Sequence, residues 1–264
     1  TYRYEKLNDT FNKIPGYSNV YTLWLEGIDK HLIIPEFHGR EHLNINNLMN
    51  ALYRRDKEVL ICFQNHCYGG FTKSNFHFNS YTSAYNFWNY SENEELIKTA
   101  IDGLGVFQEV FGVKAKCFNP PGSRAHKCLE MAISDYGIKY IDTDFVKKEH
   151  QGNGKYKYNL NYIGKTNIID QTYLVRNCVF EPLPEDNIDW VSYCLKQIEI
   201  AFFWNKPAII SSHRVNFSGH IEPNVRSNGL YQLRLLLKKI ISKWPEIEFI
   251  SISELGHLIM EKNN

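Results

Sequence analysis

The sequence lacks any long apolar run. The apolar runs are short, such as Pro207–Ile210, far from the roughly 20 residues a membrane-spanning helix needs. It also lacks a surplus of either charge, with 30 Lys and Arg against 29 Asp and Glu. No basic surplus argues for nucleic acid, and no charge block reads as a tail. Repeats, low-complexity tracts and an obvious linker are missing too. None of the six cysteines (62, 67, 117, 128, 178 and 194) has the C-x-x-C spacing of a zinc or redox site. They read as free thiols of a reducing, cytoplasmic compartment.

What is present is apolar material for a sizeable core, 43% of 264 residues. Short apolar runs alternate with longer amphipathic stretches, the pattern of β-α units around a mainly parallel sheet. Strands are expected at Leu32–Phe37, Val59–Phe63, Ala115–Phe118, Lys139–Asp142, Pro207–Ser212 and Glu248–Ile252. Helices are expected near Val20–Lys30, Asn44–Arg55, Glu94–Phe111, Ala125–Tyr136, Trp190–Asn205, Leu230–Trp244 and Ser253–Glu261. The helix at 94–111 shows its period in Leu96, Ala100, Leu104, Phe107 and Phe111. The Asn-, Lys- and Tyr-rich stretch 147–175 reads as an excursion of loops or short strands. The expectation is one domain over 1–264. His38, Asn119, Asp142 and His213 each end or follow an expected strand. Such strand ends build the sites of α/β folds, and several of them converging on one face favours a barrel over an open sheet.

The sharpest motif is Phe37-His38-Gly39-Arg40-Glu41-His42. Two imidazoles four residues apart, on one helical face or one side of a tight turn, can share a metal ion. The alternative is a pair of hydrogen-bonding surface histidines. The same letters spell H-x-x-E-H, an inverted-zincin peptidase pattern with Glu41 as general base, but that reading needs one continuous helix over 38–42. Next comes Asn119-Pro120-Pro121-Gly122-Ser123-Arg124. Its rigid loop exposes backbone N–H groups able to hold an oxyanion, or is an ordinary turn with Ser123 as helix N-cap. His213, after Ile209-Ile210-Ser211-Ser212, stands where a general acid or base would, or is a structural histidine. Asp142 and Asp144 can ligate a metal or orient a base, or are solvated loop acids. Trp190, Trp204 and Trp244 read as core. Tyr68, Tyr81, Tyr85, Phe87, Trp88 and Tyr90, with Gly69 and Gly70, form an aromatic segment that either stacks on sugar faces or packs inward.

Together and in this order, these pieces resemble the polysaccharide deacetylase superfamily, also called carbohydrate esterase family 4. The resemblance implies a deformed (β/α) barrel of about seven strands, incomplete at its N-terminus if a strand lies upstream. His38 and His42 match the spacing of the family's two metal-binding histidines, although Gly39 stands where Ser or Thr is usual. Asn119-Pro120-Pro121-Gly122 falls on its Arg-x-Pro-aromatic motif and keeps only the proline. Ile210-Ser211-Ser212-His213 resembles its Leu-x-x-His, whose histidine is the general acid. Asp142 falls loosely near its acidic fourth motif. The segments 35–44, 173–182, 208–219 and 243–256 are similar to a branch associated with Bacteroides-type bacteria. The family's Asp-Asp motif, which supplies the base and the third metal ligand, has no counterpart in residues 1–37. The first residues, Thr1-Tyr2-Arg3-Tyr4, read as a cut end, so the motif is expected upstream, and a signal peptide there stays open.

What the resemblance implies is a metal-dependent amide hydrolase that removes acetyl groups from N-acetylated sugars or polysaccharides. His38 and His42 would hold zinc or a similar ion. Asn119, Pro121, Gly122 and Arg124 would form the oxyanion and substrate loop, and His213 and Asp142 the acid-base pair. The expected partner is a carbohydrate, with no nucleic acid and no membrane. The rival from another class is a catalytically inactive, carbohydrate-binding or structural protein.

Overall fold

A computed structural model describes residues 3–67, 81–183, 187–219 and 221–263. In chain order the described helices are α1 (Leu7–Lys13), α2 (Val20–Asp29), α3 (Ile45–Tyr53), α4 (Lys57–Gln64), α5 (Asn93–Phe111), α6 (Lys127–Ser134), α7 (Trp190–Phe203), α8 (Pro223–Lys243) and α9 (Ile252–Asn263). The strands are β1 (Cys117–Phe118), β2 (Tyr140–Thr143), β3 (Val146–His150), β4 (Tyr156–Leu160), β5 (Thr172–Val175), β6 (Cys178–Val179) and β7 (Ile210–Ser211). The chain divides into two compact units. One comprises Thr1–Leu174 and Gly256–Asn264, the other Val175–Leu255.

The first unit is built on a three-stranded sheet in the order β1-β2-β5, with β1 and β2 parallel. Phe37 adds a single parallel bridge to Phe118. Behind the sheet Phe37, Phe118, Ile141, Leu129, Ile133 and Phe107 form the core. Helix α5 contributes Leu96, Ala100, Leu104 and Phe107 on one buried stripe, the 3.6-residue period expected of it. An antiparallel hairpin, β3–β4, fills much of the Asn- and Tyr-rich stretch. The second unit pairs β6 with β7 in parallel and packs Phe180, Val191, Cys194, Ile198, Leu236 and Ile240 together.

The expected seven-strand barrel is not what forms. The described strands make one three-stranded and two two-stranded sheets, and none closes. Closure needs each strand paired along both edges with a consistent stagger, and β1, β6 and β7 are each only two residues long. Leu32–Phe37 contributes its bridge at Phe37 alone, and Leu32 stands 78% exposed. Glu248–Ile252 forms no strand, and Phe249 is exposed.

Val59–Phe63 is helical, inside α4, against its expected strand. Asp56 decides the matter, because its carboxylate accepts from the N–H groups of Glu58 and Val59. A local N-cap satisfies orphan donors whatever the β propensity of the residues that follow. Ser123 is not the cap of the next helix, since α6 starts at Lys127 with His126 as N-cap. Of the three tryptophans read as core, Trp204 is 67% exposed, whereas Trp190 and Trp244 pack against the second unit's core. Tyr81, Tyr85 and Phe87 are buried packing residues, not a sugar platform. Tyr68, Gly69 and Gly70 lie outside the described residues.

Candidate metal centre

The sheet places three of the expected site residues side by side. Phe37 pairs with Phe118, and Phe118 with Ile141. The next residue on each segment is therefore His38, Asn119 and Asp142, aligned along the C-terminal edge. These are the positions the strand-end argument selects in an open parallel sheet, so that part of the reading survives the loss of the barrel.

The histidine loop is held at several points. Asn119 donates its N–H to the carbonyl of Phe37 and accepts, through its own carbonyl, from Nδ1 of His38 at 2.7 Å. Gly103 on α5 lets the loop lie against the helix, because a Cβ there would sit 2.8–3.0 Å from the Arg40 backbone and Cβ. Asn44 is buried at the far end. It caps α3 and donates to the carbonyls of Ser83 and Asn86. Gly39, at φ +95°, occupies the left-handed region that favours glycine. A Cβ at Gly39 would also meet the Tyr85 hydroxyl at 2.9 Å. This accounts for glycine where the resembled motif has Ser or Thr.

The loop brings the imidazoles of His38 and His42 to a centroid separation of 5.1 Å, with 64° between their planes. A backbone carbonyl accepts only from an N–H, so Nδ1 of His38 carries the proton and Nε2 carries the lone pair. That is the tautomer a metal-binding imidazole needs, fixed by the partner metal-ligating histidines usually have. The ring pair thus fits two positions of a zinc-type donor set. Among the described residues no third His, Cys, Asp or Glu completes such a set.

Asp142 stands one shell behind. It is buried, and its carboxylate accepts from the side-chain amide of Asn119. Asp142, Asn119 and His38 thus form one hydrogen-bonded chain. Asp144, two residues on, is exposed.

Residues 38–42 form no helix, so the geometry an inverted zincin needs is missing. Glu41 is also taken. Both its oxygens accept from Arg40, at 2.6 and 2.8 Å, while Arg40 reaches Asp102 at 2.8 Å. A bidentate guanidinium partner occupies both carboxylate oxygens.

The proposed substrate loop is only partly suited to that task. Pro121–Ser123 make a 3-10 turn in which Pro121 is buried and Gly122 exposed, and Ser123 donates its N–H to Pro120. Arg124 lies over the ring of Tyr156, 5.5 Å from its centroid, and so faces the β3–β4 hairpin.

His213 belongs to the second unit, at the end of β7. Its Nδ1 pairs with Glu181 Oε1 at 2.7 Å, and its backbone N–H reaches Oε2 at 3.3 Å. Asn216, fully buried, donates to the same Oε2 at 2.6 Å. Asp142 and Asp144 were the expected partners of His213, and Glu181 takes that place. Glu181 follows β6 as His213 follows β7, so the strand-end signal that selected the histidine would have selected it. It was missed because Cys178–Val179 is too short to read as a strand. Asn216 and Tyr85 carry no such signal. Tyr85 is buried, and its hydroxyl has no hydrogen-bond partner among the described residues. Burial holds its phenol above the ordinary range, so it remains a donor. It lines a cavity of about 120 Å³ together with Arg40, Glu41, Leu43 and Ile45.

None of the described helices is long and apolar enough to cross a membrane. Comparison with protein-family models and with curated proteins finds no match.

Proposed function

We propose that the protein is a metal-dependent amide hydrolase acting on N-acetylated sugars. The observation that carries the reading is the His38–His42 pair, two imidazoles 5.1 Å apart with the His38 tautomer set by Asn119. Bound there, zinc or a similar ion would polarise the acetyl carbonyl and lower the pKa of a water toward ~7. His38 and His42 would hold it. Asn119 and Asp142 keep His38 in the ligating tautomer. The exposed turn at Gly122 offers a backbone N–H to the developing oxyanion. In the second unit His213, held through Nδ1 by Glu181, is the candidate general acid. Six cysteines outside any disulfide support a cytoplasmic location.

One observation favours the rival, a carbohydrate-binding protein without turnover: among the described residues the two histidines have no third ligand beside them. The test is metal analysis of the purified protein, then acetate release from N-acetylglucosamine oligomers after zinc reconstitution. Zinc-dependent release is expected. Saturable oligosaccharide binding with no acetate would establish the rival, and neither binding nor release would end both.

A further inference from the structure

We infer that Cys128, His126 and Glu149 form a second reactive centre, a thiol-modification site that takes up a small disulfide. It lies within the first unit and is independent of the His38–His42 pair. The sulfur of Cys128 is 2.9 Å from Nδ1 of His126. The same nitrogen also accepts the backbone N–H of Cys128 at 3.2 Å. An imidazole nitrogen that accepts a backbone N–H carries no proton, so the proton sits on Nε2 and the thiol S–H points at a lone pair. Nε2 faces Glu149, with Oε1 at 4.0 Å. Nucleophile, base and orienting acid thus lie in line through one ring.

The arrangement is a relay and not a chelate. Sulfur and carboxylate occupy opposite ends of the imidazole, so they cannot converge on one ion, and no metal-holding trio includes them. The Tyr90 hydroxyl beside the sulfur favours its thiolate, while the Leu129 N–H is donated to the His126 carbonyl. A donor so placed serves a thiolate, which suits attack on sulfur.

His126 is 4% exposed and Cys128 half-buried, while Tyr90, whose ring meets His126 edge-on, is 59% exposed. A sulfur only half-buried is open to a small reagent rather than to a large one. Burial holds the Cys128 thiol above its ordinary range and His126 below its own. The resting pair is neutral, and the proton moves only as sulfur attacks. Around it, Lys147 lies 3.7 Å from Glu149 and pairs with Glu130, Lys127 lowers and Glu130 raises the His126 proton affinity, and Tyr173 donates to Glu130.

The step balances. Cys128 Sγ attacks one sulfur of R–S–S–R, and its proton passes to His126 Nδ1. A Cys128–S–S–R bond forms as the old S–S bond breaks, and the departing R–S⁻ takes the proton from the imidazolium. Cys128 is oxidised and half of the disulfide is reduced to R–SH.

The experiment is incubation of the full chain with glutathione disulfide, with peptide mass mapping of each cysteine across pH 6–9. Cys67, exposed and without a histidine partner among its described contacts, is the internal standard. Cys128 is expected to form the mixed disulfide. His126→Asn keeps a good N-cap acceptor for α6 but removes the base. It is expected to slow Cys128 by ~10-fold or more at pH 7, with Cys67 and the melting temperature unchanged. Glu149→Gln is expected to slow Cys128 less. Should His126→Asn fail to fold, Glu149→Gln and the wild-type profile decide. Modification of Cys67 but not Cys128 in the wild type overturns the proposal. So does a wild-type rate at Cys128 in whichever folded variant is measured.

Discussion

Two histidines end strands in the two units, and each is anchored through Nδ1. His38 is anchored on the carbonyl of Asn119, and His213 on the carboxylate of Glu181. The rings are chemically identical, and only the partner differs. A carbonyl partner fixes a proton on Nδ1 and leaves the lone pair of a neutral ring on Nε2, whereas a carboxylate partner holds the ring by a charged acceptor. The backing differs as well. His38 is backed through a neutral amide to a buried Asp142, whereas Glu181 is tied down by the Asn216 side chain and by the His213 backbone. Under the proposed function the first anchor suits a metal ligand and the second an acid.

The largest expected effect breaks the comparison at its metal side. His38→Ala should lose bound zinc altogether, while His213→Ala should retain it and lose ~10²–10⁴-fold in turnover. Metal analysis alongside acetate release separates the two, and the contrast fails if both variants lose zinc. Next, Glu181→Gln keeps the shape but not the charge beneath His213. Turnover should fall by about 10²-fold, with zinc content intact. Unchanged turnover would mean that Glu181 only packs. Asp142→Asn is smaller, because it acts through Asn119. Zinc affinity should weaken by ~10–100-fold, the usual range for an orienting partner one shell out, measured by competition with a chelator.

A separate expected effect, on stability, uses a third histidine, His150, whose Nδ1 accepts a backbone N–H from Gly152. Burial, with Arg124 and His126 nearby, pushes it down to about 4. Between the ordinary imidazole range near ~6.5 and that value, the unfolded chain takes up a proton the folded chain refuses. The contribution is therefore fully present above ~6.5 and is lost as pH falls toward 4. It amounts to roughly 3 kcal/mol at most. Chemical denaturation from pH 7 to 4 should show the decline, and His150→Phe should flatten it.

Much of the site was legible because its signals are local. An apolar run that stops at a polar residue marks a strand end, and it does so for His38, Asn119, Asp142 and His213 even where the run is not a full strand. Helical periods placed α3, α5, α7 and α9 to within a few residues, since the buried stripe of a helix is written in consecutive sequence. Val59–Phe63 misled because an apolar run of five fits a strand and a helix alike, and the Asp56 cap outweighed it.

The sequence by itself determined the candidates: a histidine pair at a four-residue spacing, a Pro-Gly turn, and a histidine closing an apolar run. Only the tertiary structure decided their partners. Glu181 reaches His213 across 32 positions, and Asn119 reaches His38 across 81. The buried cluster of Glu130, Lys147, Glu149 and His126 gathers charges that each look solvated in the sequence. The reason is physical. Spacing and periodicity act through the few residues of one turn or strand. A buried charge or a fixed tautomer is settled by whichever distant group the packed chain brings within hydrogen-bond reach.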